Sequence, residues 1–211
     1  MPSYKVKEIY YTLQGEGAQT GRPAVFLRFS GCNLWSGREQ DRATAICQFC
    51  DTDFWGMDGV SGGSYTAEEL AAKVSEIWAS KDEGVPYVVC TGGEPLLQLD
   101  SPLVDELQKR GFEVAVETNG TIEITSKLDW ICMSPKANTE IIQQSGNEIK
   151  IIFPQSGIDP VDFESLDFEH FFLQPMDNAD KEENTRKTVQ YCLEHPKWKL
   201  SLQTHKLLLI P

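Results

Sequence analysis

Short apolar runs alternate with amphipathic segments along the chain, and this pattern predicts strands that alternate with helices. Most of the runs are brief and rich in β-branched or aromatic residues, which is typical of buried strands. The pattern predicts eight strands, over residues 6–12, 24–30, 87–90, 114–117, 130–133, 148–153, 171–174 and 198–203.

Three segments have the spacing of amphipathic helices. Thr66 and Glu69 form a capping-box pattern ahead of apolar residues that recur on one helical face. A second helix is predicted from Ser101 to just before Gly111, and a third from about Glu183 to Glu194. Three helices are too few to connect eight strands by helical crossovers alone. The pattern therefore predicts an α/β sheet or partial barrel in which loops replace some crossovers.

The length and charge of the chain exclude several classes of protein. A chain of 211 residues can bury a core of its own, so neither disulfides nor a structural metal are needed for folding. No apolar run approaches the roughly 20 residues of a membrane helix, and no secretory signal is recognisable, so a cytoplasmic protein is predicted. The formal charge of -13 repels phosphate backbones and anionic membranes, which disfavours nucleic-acid binding.

The six cysteines divide into two groups by their surroundings. Cys32, Cys47 and Cys50 lie in one loop with the spacing C-x14-C-x2-C, which indicates a metal centre held by three thiolates. The other three lie in apolar stretches and are predicted to be small core residues: Cys90, Cys132 and Cys192.

The residues leave two kinds of metal centre open. Structural zinc has four protein ligands, yet no histidine shows ligand spacing with the cysteines, so a zinc site needs a distant fourth ligand. On an iron-sulfur cubane, three cysteines leave one iron open to an exogenous ligand, which is the arrangement needed if the cluster must touch its substrate. The histidines are His170, His195 and His205.

Polar motifs follow the predicted strands at their carboxyl ends, where parallel sheets and barrels have their active sites. Gly92 and Gly93 follow one strand and would expose backbone groups to a ligand, and Glu94 would be available to a cationic amine. Taken singly, each motif is also a common turn or strand end, so only the shared position favours function. The other motifs are Cys32, 117–120, 134–136, 174–177 and 203–206.

The cysteine motif, the aromatic Phe49 inside it and the Gly-Gly-Glu-Pro strand end resemble those of the radical S-adenosylmethionine superfamily. That superfamily has the usual spacing C-x3-C-x2-C, and here the first interval is eleven residues longer. The longer interval and several further strings resemble the 7-carboxy-7-deazaguanine synthases over nearly the whole chain. The strings are residues 11–17, 31–35, 50–53, 134–136 and 203–211.

This resemblance implies a single radical S-adenosylmethionine domain over residues 1–211, in which residues 33–64 form an extended cluster-binding loop. The implied fold is α/β, an incomplete, modified (β/α) barrel of about six parallel strands and three main helices. The resemblance also implies a homodimer, a flavodoxin-like or other reductant as electron donor, and no nucleic-acid or membrane partner.

The implied activity is a radical-mediated ring contraction of 6-carboxy-5,6,7,8-tetrahydropterin to 7-carboxy-7-deazaguanine, with loss of ammonia, on the route to queuosine and other deazapurines. Such an enzyme is a carbon-nitrogen lyase that regenerates S-adenosylmethionine after each turnover. The radical comes from the cofactor, so no side chain is assigned as a direct acid or base. Two alternatives are a glycyl-radical enzyme activase of the same superfamily and a zinc-binding module without catalysis.

The resemblance also assigns residues to ligands. Cys32, Cys47 and Cys50 would hold a 4Fe-4S cluster, and the Thr52 hydroxyl would bind Mg²⁺, a hard cation that prefers oxygen. The positions that resemble the family's cofactor site are Gly93, Glu117, Ser134, Pro135, Lys136, Gln174, Pro175, Met176 and Asp177. The positions that resemble its substrate site are Leu13, Gln14, Gly15, Arg28, Thr91, His205 and the terminal carboxylate of Pro211.

The charge of the protein adds a condition to this assignment. An anionic carboxypterin must enter a chain of charge -13, so positive charge is needed at the site. Arg28 and Mg²⁺ would supply it, and the alternative is that Arg28 is an ordinary surface arginine on a strand. The role of Pro211 requires that the chain ends at this residue.

Overall fold

The computed structural model describes residues 3–78 and 84–211, and a mixed β-sheet forms the centre of this part. The strands are β1 (Tyr4–Leu13), β2 (Pro23–Phe29), β3 (Gly63–Tyr65), β4 (Tyr87–Gly92), β5 (Glu113–Thr118), β6 (Trp130–Met133), β7 (Ser145–Phe153), β8 (Asp167–Pro175) and β9 (Lys199–Leu200). The α-helices are α1 (Ala67–Ile77), α2 (Ser101–Lys109), α3 (Lys181–Glu194) and α4 (Thr204–Leu208).

The sheet is open, with strand order β3-β1-β2-β4-β5-β6-β7-β8-β9. From β2 onward neighbouring strands are parallel, whereas β1 runs antiparallel to both β2 and β3. Loops without an α-helix connect β5 to β6 and β6 to β7. The predicted incomplete barrel, with about six parallel strands and three main helices, is confirmed. The two-residue β9 adds a seventh parallel strand, and β1 and β3 extend the other edge.

Successive side chains along a strand point to opposite faces of the sheet, so one face can pack into the core while the other faces the site. In β4, Val88 and Cys90 are fully buried in a cluster that includes residues of α1 and α2. Val89 lies on the opposite face, in a smaller buried cluster, and Thr91 lines a cavity. One face of this strand therefore packs against helices, while the other leads to the site.

The three predicted helices are present, and each begins within two residues of its predicted start. The capping box of α1 is present, because Glu69 N donates to Thr66 Oγ1 at 3.3 Å and Thr66 N donates to Glu69 Oε2 at 2.8 Å. Helix α2 begins at Ser101 as predicted, with Asp100 as its N-cap. Helix α3 begins at Lys181, two residues before the predicted start.

The predicted strand at 198–203 is largely wrong, since only Lys199 and Leu200 pair with β8. The chain then turns into α4, where the backbone N–H and the hydroxyl of Thr204 both donate to the carbonyl of Gly15. This tertiary contact stabilises a short helix that the apolar pattern did not predict.

The cysteines outside the loop pack against apolar side chains. Cys90 and Cys132 are buried, as predicted, and Cys192 is half-buried against an apolar cluster that includes Leu173 and Trp198. None of the helices in the described part of the chain is long and apolar enough to cross a membrane.

Candidate active site

A cavity of about 410 Å³ opens at the carboxyl edge of the parallel strands. Side chains at or just beyond the ends of β2, β4, β5, β6, β7 and β8 line it together with the cysteine loop. Every residue that the sequence assigned to the cluster, the cofactor, Mg²⁺ or the substrate lines this cavity, except Pro135. The polar motifs at the ends of the parallel strands therefore share one site, and the 203–206 motif reaches it from the start of α4 and not from a strand end.

The three loop cysteines are free and line the same cavity. A hydrogen bond between the Cys47 and Cys50 thiols lowers the pKa of Cys50 to about 6. The same hydrogen bond, together with burial, raises the pKa of Cys47. Across residues 3–78 and 84–211, no three His, Cys, Asp or Glu side chains are arranged to hold a single metal ion. Three soft thiol ligands facing one cavity match the donor chemistry of an iron-sulfur cluster.

Glycine at position 93 allows the end of β4 to pack against the first cysteine. A Cβ at Gly93 would lie 2.3 Å from the Gly31 carbonyl oxygen and 2.6 Å from Cys32 Cβ. Glu94 N donates to the same Gly31 oxygen at 3.0 Å. The backbone at Gly93 therefore fixes the position of Cys32.

We expect Gly93→Ala to lower turnover by about a hundredfold, because the backbone that carries Cys32 must move away from the new methyl group. Product formation and iron content of the reconstituted protein would be measured together. Gly63→Ala is the matched control, since the nearest atoms to its Cβ belong to the Tyr65 side chain and begin at 3.3 Å. Wild-type turnover of Gly93→Ala would show that this close approach is not needed.

The expected availability of Glu94 to a cationic amine is wrong. Its side chain is fully buried and does not line the cavity. One carboxylate oxygen accepts from the Thr118 hydroxyl and from Leu96 N, and the other accepts from Asn119 N at 2.8 Å. Glu94 therefore joins the carboxyl ends of β4 and β5, and burial raises its pKa.

Lys136 is the cation of the predicted cofactor side of the cavity. Its ammonium donates to the carbonyl and hydroxyl oxygens of Ser134, at 2.6 and 2.7 Å. Burial lowers the pKa of Lys136. On the same side, the Gln174 side-chain oxygen accepts from the Ser201 hydroxyl at 3.0 Å. These bonds hold both polar side chains in place at the cavity wall.

The predicted substrate side of the cavity includes Arg28. Its side chain is 16% exposed, donates from Nε to Glu8 at 2.8 Å and from Nη2 to the Tyr10 hydroxyl at 2.9 Å. Arg28 is therefore a partly enclosed group of the cavity and not an ordinary surface arginine. Nearby, the Gln14 amide donates to Glu117 at 2.9 Å, and the Thr12 hydroxyl donates to an oxygen of Pro211 at 2.9 Å.

Sequence reasoning missed an ion cluster beneath this side of the cavity. Lys150 is 3% exposed and its ammonium lies 2.5 Å from Glu16 and 3.4 Å from Glu117. Burial alone would raise the pKa of Glu16, but Lys150 and the Gln203 amide lower it to about 2. A lysine inside the apolar strand 148–153 is the signal that could have revealed this cluster.

A second missed ion cluster joins α4 to the cavity rim. Lys206 donates to Asp51 at 2.7 Å and to Asp177 at 2.5 Å. It thereby links the residue after Cys50 to the end of the segment 174–177. Lys206, Asp51 and Asp177 lie far apart in the sequence, so no local pattern predicts that they pair.

Comparison with known proteins identifies the family. No protein-family model matches the chain. The 7-carboxy-7-deazaguanine synthase of Caulobacter vibrioides is 59% identical over 210 residues, which cover 99% of this chain and 100% of that protein. The synthase of the same name from Burkholderia multivorans is 54% identical with the same coverage. The chain belongs to the 7-carboxy-7-deazaguanine synthase family.

A solved structure extends this family relationship to the fold. The crystal structure of QueE from Escherichia coli matches with a TM-score of 0.70 and 29% identity, covering 95% of this chain and 93% of that one. The resemblance drawn from the cysteine motif and the polar strings is thereby confirmed. For a 7-carboxy-7-deazaguanine synthase family member, the cavity described above is the candidate active site.

Proposed function

We propose that this protein converts 6-carboxy-5,6,7,8-tetrahydropterin to 7-carboxy-7-deazaguanine with loss of ammonia, in queuosine or deazapurine biosynthesis. In this reaction it acts as a carbon-nitrogen lyase that regenerates S-adenosylmethionine. The observation that carries the proposal is the single cavity in which three thiols meet the polar ends of six strands. This cavity lies in a chain that is 59% identical to a protein named for the product, 7-carboxy-7-deazaguanine.

Cys32, Cys47 and Cys50 would hold the 4Fe-4S cluster within a domain that spans residues 1–211. Residues 33–64 would form the cluster-binding loop, whose last two residues begin β3. When bound, the cluster and S-adenosylmethionine would supply the radical chemistry of the reaction. Lys136 offers a cation to the carboxylate of S-adenosylmethionine. The other proposed cofactor contacts are Gly93, Glu117, Ser134, Pro135, Gln174, Pro175, Met176 and Asp177.

Charge balance supports a role for Mg²⁺ on the substrate side. Arg28 is paired with Glu8, so part of its charge is already neutralised before an anionic carboxypterin enters. A magnesium ion at the Thr52 hydroxyl, which lines the cavity, would restore positive charge there. The other proposed substrate contacts are Leu13, Gln14, Gly15, Thr91, His205 and Pro211.

We expect Arg28→Lys to raise KM for the carboxypterin about tenfold, because lysine lacks the planar fork that serves Glu8, Tyr10 and a carboxylate together. Steady-state kinetics and iron content would be measured on the same preparation. Arg22→Lys is the matched control, since Arg22 pairs with Glu113 and is not among the cavity-lining residues. An unchanged KM for Arg28→Lys would remove Arg28 from the substrate site.

Further parts of the proposal concern partners and location. A flavodoxin-like or other reductant is proposed because reduction of the cluster needs an external electron. A homodimer is proposed, and three exposed leucines at residues 207–209 offer apolar surface that a second copy would cover. Light scattering tests the oligomeric state.

A cytoplasmic location is proposed, since all six cysteines are free, as suits a reducing compartment.

The test of the proposal is turnover by anaerobically reconstituted, reduced protein. We expect 7-carboxy-7-deazaguanine, identified by mass spectrometry, from carboxytetrahydropterin and S-adenosylmethionine. Modification of a glycyl-radical protein, with no pterin product, would favour the activase alternative. Tightly bound zinc without iron-sulfur absorption would favour the binding-module alternative and exclude the radical enzyme.

A further inference from the structure

The residues between Cys32 and Cys47 form an ordered segment that includes a short helix and a buried tryptophan. A 3-10 helix spans Glu39–Thr44. Trp35 is 8% exposed, packs edge-on against Phe54 at 5.5 Å between ring centroids, and donates from Nε1 to the Arg38 carbonyl at 3.2 Å. The segment is therefore packed around Trp35, so its conformation affects the position of Cys47, which follows it.

Arg42 connects this unit to the turn that carries the last two cysteines. Its Nη1 donates to the carbonyl oxygens of Gln48 and Cys50, at 2.9 and 3.0 Å. The guanidinium carbon lies 4.1 Å from the centre of the Trp35 ring, and Nε lies 2.8 Å from both carboxylate oxygens of Glu39. One planar side chain thus binds an aromatic ring, a carboxylate and two backbone carbonyls.

The two carbonyls determine the curvature of the cysteine turn. Gln48 and Cys50 lie two residues apart, and their carbonyl oxygens converge on the same nitrogen. At the other end of the turn, Cys47 N donates to the Leu34 carbonyl at 3.4 Å. The directions of the Cys47 and Cys50 side chains follow from this backbone. Glu39 balances the charge of Arg42, so Arg42 acts on the turn through its two hydrogen bonds and not through a net charge.

We propose that Arg42 is a positioning residue that holds the Cys47–Cys50 turn in its metal-binding conformation before the cluster arrives. The inference rests on the proposed cluster site, and it assigns a role to the lengthened interval between Cys32 and Cys47. Arg42 acts through backbone carbonyls and is not itself a ligand. Preorganisation of this kind lowers the ordering cost of binding a cluster.

The test compares Arg42→Met and Arg42→Lys with Arg38→Met in the cluster-free protein. Arg38 is the matched control because its guanidinium stacks on Trp55, in the same loop region, at 4.5 Å. Labelling of each cysteine by a thiol reagent is followed by mass spectrometry. We expect Cys47 and Cys50 to react about tenfold faster in Arg42→Met, with Arg42→Lys intermediate and Arg38→Met unchanged.

A second readout follows the loss of iron from reconstituted protein to a chelator, which we expect to be faster in Arg42→Met than in Arg38→Met. Buried Cys90 reports on global folding. Labelling of Cys47 and Cys50 within about twofold of wild type would overturn the proposal, as would equal acceleration at Cys90 in both Arg42 variants. Failure of the wild type to assemble a cluster would refute the proposed function, while the labelling rates would still test Arg42.

Discussion

Cys50→Ala is expected to lose the iron-sulfur cluster and to lower turnover by at least about a thousandfold, because the cofactor supplies the reactive chemistry. Iron and sulfide content, visible absorption and product formation would be measured on the same reconstituted sample. The fold should persist, since the Cys50 thiol contacts only groups of the same loop, the Cys47 thiol and, at 4.0 Å, the Thr52 carbonyl oxygen. The melting temperature of the cluster-free variant should therefore match that of the cluster-free wild type.

Cys192→Ala is the control for this prediction, because Cys192 is a half-buried residue of α3 and lies outside the cavity lining. It should retain both iron and activity. A Cys50→Ala protein that unfolds, from a wild type that contains zinc, would instead identify the three cysteines as a structural site. A variant that keeps full turnover would remove Cys50 from the proposed cluster ligands.

Lys150→Met is expected to lower the free energy of unfolding by about 3 to 5 kcal/mol at pH 7. Lys150 is 3% exposed, and its loss leaves the Glu16 and Glu117 carboxylates without their cation. Urea unfolding of the cluster-free protein measures the change. Lys109→Met is the control, since Lys109 forms an exposed ion pair with Glu106 and should leave the urea midpoint unchanged.

The same variant should have a characteristic pH dependence. In the wild type the pKa of Glu16 is about 2, below its value near 4.3 in an unfolded chain. Glu16 therefore stabilises the fold above about pH 4, and this contribution is lost as the pH falls toward 2. Without Lys150, burial raises the pKa of Glu16, so acid neutralises the unpaired carboxylate. The deficit of Lys150→Met should shrink between pH 7 and pH 5, and an unchanged deficit would contradict the ion-cluster account.

Features with strong local signals were predictable from the sequence. The Thr66 hydroxyl and the Glu69 carboxylate are three residues apart, so the start of α1 depends on a contact that the sequence contains. Cys47 and Cys50 are likewise close in sequence, and the polar strings follow apolar runs directly. Because parallel strands align their carboxyl ends, these local signals also predict which residues share the cavity.

Features that depend on distant partners were not predictable. Strand β3 has three residues and exists through pairing with β1, where Tyr65 aligns with Tyr4. Helix α4 begins where Thr204 reaches the Gly15 carbonyl, across most of the chain. Glu94 follows two glycines in sequence, which suggested a role in ligand binding. Its carboxylate instead accepts hydrogen bonds from Thr118 and Asn119, because β4 pairs with β5.

The most direct test of the proposed function counts product against cofactor in an anaerobic, reduced reaction with carboxytetrahydropterin. We predict equal amounts of 7-carboxy-7-deazaguanine and ammonia, formed in clear excess over the S-adenosylmethionine consumed. Cleavage of S-adenosylmethionine without any 7-carboxy-7-deazaguanine, or consumption of one cofactor for each product, would contradict the account.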